Sequence, residues 1–406
     1  MYALIIAKFM FGYKYRSLDQ EPGVVNYKGI FLKQVGLFEA VALILSATIG
    51  AGVLGIPYAV SKVGLGVGLF YIVFLGLLLM ALNLLVGEVV ARTKGEFQLV
   101  GLARKYLGKW GGYFMTILNY LMAFGILVVY IIGEGNTLAN IFGGDPFRWS
   151  ILFFVFGSIF VMIGLETVKT AELVLSMAIL VIILLIAGLS APHVQFENIV
   201  YSNWVNLLLP YGVVLFAFSG ASSIPEAHAI LKNRDKDFKK AIIIAGTIAI
   251  VAYALFTLCV VGVTGAYTTE IATVGLGAVA GRAMFLFGNL FAIFAMGTCF
   301  LMGGVSLKDS LQWDYKVPNI PATLLVCGIP LVIFLLGMRS FIAAIDIVGG
   351  VFISLEMLVL VLIYYRAKTL GHLKPSKYKL HYAWLLVVPL VIALTVGAVY
   401  SVVKLF

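Results

Sequence analysis

Residues 48–57 read Thr-Ile-Gly-Ala-Gly-Val-Leu-Gly-Ile-Pro, and residues 218–226 read Phe-Ser-Gly-Ala-Ser-Ser-Ile-Pro-Glu. Each sits inside a stretch otherwise apolar enough to cross a bilayer. Three glycines and a proline within ten residues disfavour a continuous helix, since each glycine costs ~1 kcal/mol against alanine and an interior proline ~3 kcal/mol. Both stretches hold Gly-Ala and then Ile-Pro-x-Ala: Ile56, Pro57 and Ala59 in one, Ile224, Pro225 and Ala227 in the other, with the prolines 168 positions apart.

Backbone in lipid must pair internally, because each unsatisfied amide costs several kcal/mol there. Interruptions at matching places in two halves of a chain therefore point to a binding site near the membrane midplane. Half-helix N-termini present N–H groups to a carboxylate, and unwound carbonyls face an ammonium group or a cation. Two proline kinks with tight glycine packing form the plainer reading, but kinks alone need not match between halves. Gly50-Ala-Gly-Val-Leu-Gly55 also satisfies GxGxxG. A dinucleotide fold needs a strand before that motif and an acid ~20 positions on in a βαβ unit, whereas here it lies in an apolar span.

The rest of the chain agrees with a membrane setting. Of 406 residues, 62 % are hydrophobic and 11 % charged, and the mean hydropathy is +1.09. Soluble chains carry about 25 % charged residues, so a soluble enzyme, a secreted disulfide scaffold and a disordered regulator are excluded. Cys259, Cys299 and Cys327 lie in apolar stretches with no CxxC pair, and read as small core residues.

A span needs ~20 apolar residues. Eleven stretches qualify: 36–60, 65–91, 111–141, 149–165, 171–190, 204–230, 238–266, 282–307, 318–337, 341–364 and 383–404. The predicted organisation is an N-terminal cytoplasmic segment 1–35, five-helix units 36–190 and 204–364, and an eleventh helix 383–404. Residues 97–106 are expected to form an amphipathic helix at the interface. With the N-terminus inside, 23 of the 28 lysines and arginines fall on the cytoplasmic side, leaving Lys62, Arg148, Arg282, Arg339 and Lys404 outside. All five tryptophans fall at span edges. The net charge of +10 thus orients the chain and meets anionic lipid; nucleic acid is not an expected partner. The C-terminus is expected outside, in a cell membrane.

Ionisable residues at membrane depth are functional candidates by default. Glu356, about fifteen residues into the tenth span, is the first choice for a titrating carboxyl. Glu226, beside Pro225, is placed to pair or gate near the second break. Glu134, Asp346, Glu39 and Glu88 lie nearer span ends and read as structural. His228 follows the second break, and His193, His372 and His381 read as loop residues. Gly64 and Gly68 form a GxxxG read as close helix packing. No HExxH, P-loop, Ser/His/Asp arrangement or paired catalytic carboxylates occur, so neither an enzyme nor an ATP-driven pump is expected, and no cofactor or metal.

Four segments carry a family resemblance: TIGAGVLGIPYA (48–59), LFAFSGASSIPEAHAILKNRDKDFKKAI (215–242), VVYIIGEG (128–135) and LFAIFAMGTCFLMG (290–303). They resemble the amino acid/auxin permease family of the APC superfamily, and are similar to bacterial tryptophan/tyrosine permeases. The resemblance covers most of residues 36–366. It implies a LeuT-type fold, in which the two five-helix units are inverted repeats with helices 1 and 6 interrupted, plus one extra C-terminal helix. It further implies ion- or proton-coupled amino acid transport.

Carried onto this sequence, the resemblance puts a substrate carboxylate on the N–H groups of Gly50, Ala51 and Gly52. The α-amino group meets carbonyls near Ala47 and around Phe218 and Ser219, and Tyr130 helps close the side-chain pocket with Phe218. In sodium-coupled relatives a cation lies at positions matching the carbonyls of Ser46 and Ile49 with Ala295, Thr298 and Cys299. Cys299 departs from the pattern, because a thiol is a poor ligand for a hard cation. The span-five lysine of some proton-coupled relatives is also missing from residues 171–190. Glu226 matches an acidic position of the family motif.

The expected function is import of neutral amino acids by alternating access, driven by a proton or sodium gradient. The alternatives are a membrane sensor that binds without turnover, and a transporter of a different small solute on the same fold. A divalent metal as that solute would need Asp, Asn and Met ligands at the breaks, where only Glu226 stands.

Overall fold

The computed structural model describes residues 36–404 except 96, 164–166, 233, 371–377, 379, 381 and 382. The N-terminal segment 1–35, His372 and His381 lie outside the described residues. Among these, all regular structure is helical. In chain order the helices are α1 (Gly36–Thr48), α2 (Ile56–Val63), α3 (Leu65–Arg92), α4 (Leu99–Phe142), α5 (Pro146–Ile163), α6 (Thr167–Ser190), α7 (Pro210–Ala217) and α8 (Ser223–Ile230). They continue as α9 (Asp235–Thr264), α10 (Ala272–Ala280), α11 (Arg282–Tyr315), α12 (Asn319–Leu335), α13 (Phe341–Ile347), α14 (Ser354–Thr369) and α15 (Trp384–Val403).

Among the described residues seven helices are long and apolar enough to cross a membrane, and α1 with the segment Ala51–Val63, bent by 52°, makes an eighth if the pair is one span. Helix α12 and the apolar part of α6 are shorter. The predicted sixth span is two eight-residue helices, α7 and α8, with Phe218–Ser222 between them. Large apolar side chains such as Phe70, Phe74, Phe156, Phe287 and Phe294 remain exposed, which suits lipid rather than water.

Glycine shapes two junctions. Gly64, at φ 99°, turns the chain between α2 and α3, and an added Cβ at Gly68 would collide with Val60. The GxxxG thus serves close packing of that hairpin. The expected interfacial helix at 97–106 is joined to α4, broken from it only at Gly108 (φ 79°, ψ −171°). Trp110, just beyond, is 84 % exposed.

Helix α9 packs against α1, α2 and α3, while α4 packs against α5, α11, α12, α13 and α14. Between α13 and α14 the chain makes a π-helical turn, Val348–Ile353, which packs on α7. Gly349 makes this possible, since a Cβ there would strike the Gly212 carbonyl of α7.

Candidate functional site

Helix α1 stops at Thr48, and the backbone beyond it is extended: Gly50 has φ −120° and ψ −159°. A single 3-10 turn, Ala51–Leu54, follows, and Pro57 sits in the first turn of α2. Ala51 and Gly52 are the first two residues of the 3-10 turn, so their N–H groups precede every carbonyl of that turn. Helix α7 ends at Ala217, and Phe218 caps it at φ −90°, ψ 1°.

The two breaks touch. A Cβ on Gly52 would stand 2.9 Å from the Ala217 Cα and from the Phe216 ring, and one on Gly220 would stand 2.5 Å from Thr48 Oγ1. Between them lies the hydroxyl of Tyr253, from α9, 2.8 Å from the Thr48 carbonyl and 2.9 Å from the Ala217 carbonyl. Tyr253 is fully buried, and its ring meets Phe218 edge-on at 4.8 Å. Sequence reasoning missed Tyr253, an aromatic in the middle of an apolar helix with no local signal of where it reaches.

The remaining predicted residues distribute as follows. Ala51 and Phe218 are buried, while Ala47, Gly50 and Ser219 are half-buried. Ser219 Oγ donates back to the Phe216 carbonyl at 2.7 Å. Phe218 turns toward Gly76 of α3 and Tyr253, and lines a small cleft with Ile44, Thr48, Leu79, Met80 and Asn83. Tyr130 is buried on α4.

Among the ion-coupling candidates, Cys299 of α11 comes to the first break, its Sγ 3.7 Å from a Cβ built on Gly50. Ile49 and Ala295 are each 1 % exposed. Ser46 Oγ donates to the Leu43 carbonyl, and Thr298 Oγ1 donates to the Phe294 and Ala295 carbonyls at 2.6 and 3.3 Å. Glu226 lies on α8 and accepts from Gln98 Nε2 at 3.0 Å. Glu356 is buried on α14, two residues past Ser354, whose Oγ meets the Tyr211 hydroxyl at 2.9 Å. His228 packs on Phe238 at 5.1 Å, and His193 ends a short exposed turn. Among the described residues, no three His, Cys, Asp or Glu side chains converge on a metal site.

Two acids read as structural from the sequence do hold the bundle together. Glu88, fully buried, pairs with Arg92 and Lys368 and accepts from the Tyr364 hydroxyl and the Leu380 N–H. Burial and the nearby Glu88 raise the pKa of Tyr378 in the following loop, whose hydroxyl donates to the Leu84 carbonyl. Asp346 pairs with Lys404 at 2.7 Å, fastening α13 to the end of α15.

Residues 33–401 match the model of the tryptophan/tyrosine permease family. Tyrosine-specific transport system 1 of Haemophilus influenzae is 26 % identical over 339 residues, covering 76 % of this chain and 83 % of that protein. Glutamine transporter 2 of Aliivibrio fischeri is 31 % identical over 240 residues, covering 54 % of this chain and 60 % of that one. Among solved structures, MhsT in complex with L-phenylalanine superposes with a TM-score of 0.65 at 14 % identity, covering 95 % of this chain and 100 % of that one. The manganese transporter of Eremococcus coleocola gives 0.64 at 14 % identity, covering 94 % and 90 %. At such identities the likeness is one of fold, the LeuT fold.

Proposed function

The chain belongs to the tryptophan/tyrosine permease family, and on that premise we propose that it is a secondary active transporter that imports neutral amino acids by alternating access. The observation that carries the reading is the meeting of the two breaks under Tyr253, which brings the end carbonyls of α1 and α7 together in one buried place. A zwitterion matches such a place: the N–H groups of Gly50, Ala51 and Gly52 hold its carboxylate. Carbonyls near Ala47, Phe218 and Ser219 hold its ammonium group. Phe218 and Tyr130 border its side chain. The relatives named for tyrosine and glutamine both concern uncharged side chains.

In this proposal the architecture is eleven transmembrane helices. Residues 36–190 and 204–364 form inverted five-helix repeats and 383–404 an added helix, with the N-terminus cytoplasmic and the C-terminus outside. Motion of the two interrupted helices against the others opens the site to each side in turn. A proton or sodium gradient drives the cycle. A sodium ion would take the Ser46 and Ile49 carbonyls with Ala295, Thr298 and Cys299; the proton alternative rests on a buried acid, with Glu356 and Glu226 the sequence candidates.

Uptake of a labelled amino acid mixture into proteoliposomes tests this, with a pH gradient and separately a sodium gradient. Accumulation under either gradient supports the reading. Binding without accumulation means a sensor, and neither binding nor accumulation of any amino acid overturns the substrate class.

A further inference from the structure

Helix α4 carries a carboxyl that the scheme above leaves unused. Glu134 lies eight residues before the α4 end at Phe142, ~12 Å along the axis. It is 1 % exposed, and among the described residues neither Oε1 nor Oε2 has a side-chain hydrogen-bond partner, the Gly297 backbone of α11 being the polar group beside it. Glycines bring three helices in around it. Gly133 admits Met296 of α11 and Phe341 of α13, and Gly135 admits Ser150 and the Pro146 carbonyl of α5. Gly297 of α11 offers bare backbone, where an added Cβ would stand 3.1 Å from Glu134 Oε1.

Among the described residues, the basic side chains on and beside the helices packed against α4 are exposed or held by other partners. Arg148 of α5 is exposed. Lys308 of α11 donates to the Val161 and Met162 carbonyls at 2.6 and 3.2 Å, and Asp309 is twelve residues past Gly297, ~18 Å along the helix. Helix α12 has no charged residue. Asp346 of α13 pairs with Lys404, and Arg339 before it stacks on Phe147 and Phe334. On α14, Lys368 pairs with Glu88 and Arg366 is exposed, which leaves Glu356 as a further acid. None of these supplies a countercharge to Glu134.

A buried carboxylate with no side-chain donor and no countercharge costs several kcal/mol even beside one backbone N–H, and the neutral acid far less. Proton binding and the closed packing therefore favour one another. By reciprocity, a state that lets water reach Glu134 releases its proton. The location ties this exchange to transport. Tyr130 stands one turn earlier on the same face of α4, and α11 runs from Gly297 beside Glu134 to Cys299 beside Gly50 at the first break. We propose that Glu134 binds the proton whose movement drives transport, an inference that rests on reading the chain as an ion-coupled transporter.

The test uses the full chain in proteoliposomes with labelled L-tyrosine and L-glutamine. In E134Q, accumulation under a pH gradient falls roughly tenfold or more and the pH profile of exchange flattens, while E134D restores accumulation with a displaced profile. Infrared spectra give a readout that needs no transport: a neutral-carboxyl C=O band in the wild type that E134Q lacks. Wild-type pH dependence in E134Q, an unmoved profile in E134D, or an unchanged C=O band overturns the proposal. So does wild-type accumulation that follows sodium and ignores pH, which leaves the transporter reading standing. No amino acid movement by the wild type under either gradient overturns the transporter reading itself, and the infrared band then reports separately on the acid.

Discussion

The Tyr253 hydroxyl donates to the Thr48 carbonyl at 2.8 Å, across 205 positions of sequence. The same oxygen lies 2.9 Å from the Ala217 carbonyl, so one proton serves the last residues of both α1 and α7. A phenol has a single O–H to give, and the bond is shared or alternates between the two broken helices. Tyr253 therefore couples the positions of the breaks without lying on either.

Removing that hydroxyl is the narrowest perturbation of the site. Tyr253→Phe keeps the ring and its edge contact with Phe218 but takes the hydroxyl donor from the Ala217 carbonyl and leaves the Thr48 carbonyl only the Gly50 N–H at 3.2 Å, at a cost of about 1–3 kcal/mol. The thermal midpoint of the purified protein falls, and amino acid affinity changes at the same time. An unmoved midpoint would show that the carbonyls find other partners.

Gly52 marks where the breaks press together. Gly52→Ala puts a methyl 2.9 Å from the Ala217 Cα, a backbone atom that cannot swing aside, so the 3-10 turn and α7 must separate. Transport and stability both drop, the latter by about 1–3 kcal/mol. Gly66, exposed in α3 with nothing within 4 Å of an added Cβ, is the matched control. Gly66→Ala is neutral, or stabilising by about 0.5–1 kcal/mol. Equal damage from both substitutions would contradict the close approach.

Glu88 tests the far end of the bundle. Glu88→Ala leaves Arg92 and Lys368 without their shared acid and frees the Tyr364 hydroxyl and Leu380 N–H; losing one side of such a buried network costs about 3–5 kcal/mol. Lys368→Met removes a 3.5 Å contact from a side chain 34 % exposed, and costs at most about 1 kcal/mol. Unfolding in detergent measures both, and similar effects would mean that Glu88 is not the hub.

The interruptions were legible in the sequence because glycine and proline act locally and four of them, Gly50, Gly52, Gly55 and Pro57, crowd into ten residues, where single prolines such as Pro330 and Pro389 stay inside helices. Burial of Glu356 followed from its depth in an apolar stretch, whereas Glu88 and Glu134, placed nearer span ends, are buried as fully, and the partners of none of them were legible. Glu88 finds Leu380 across 292 positions, and Glu226 finds Gln98 across 128, pairings that only the packing of helices creates. Glu134 and Glu356 look alike as letters in apolar runs; three glycines from two helices distinguish Glu134, and those meet only in three dimensions. Tyr253 was illegible for the same reason. The contacts of the Phe218 ring with Gly76 and Tyr253 were illegible too, because the direction of a side chain after a break depends on backbone angles that composition does not set.

Equilibrium binding of labelled L-tyrosine and L-glutamine to the wild type and to Ser219→Trp tests most directly whether the two breaks hold the substrate. Ser219 is half-buried between them, and an indole there fills the space the zwitterion requires. The account predicts binding by the wild type and affinity at least roughly tenfold weaker in the variant, ~1.4 kcal/mol, with thermal unfolding little changed. Wild-type affinity retained in Ser219→Trp would place the substrate elsewhere and contradict the account.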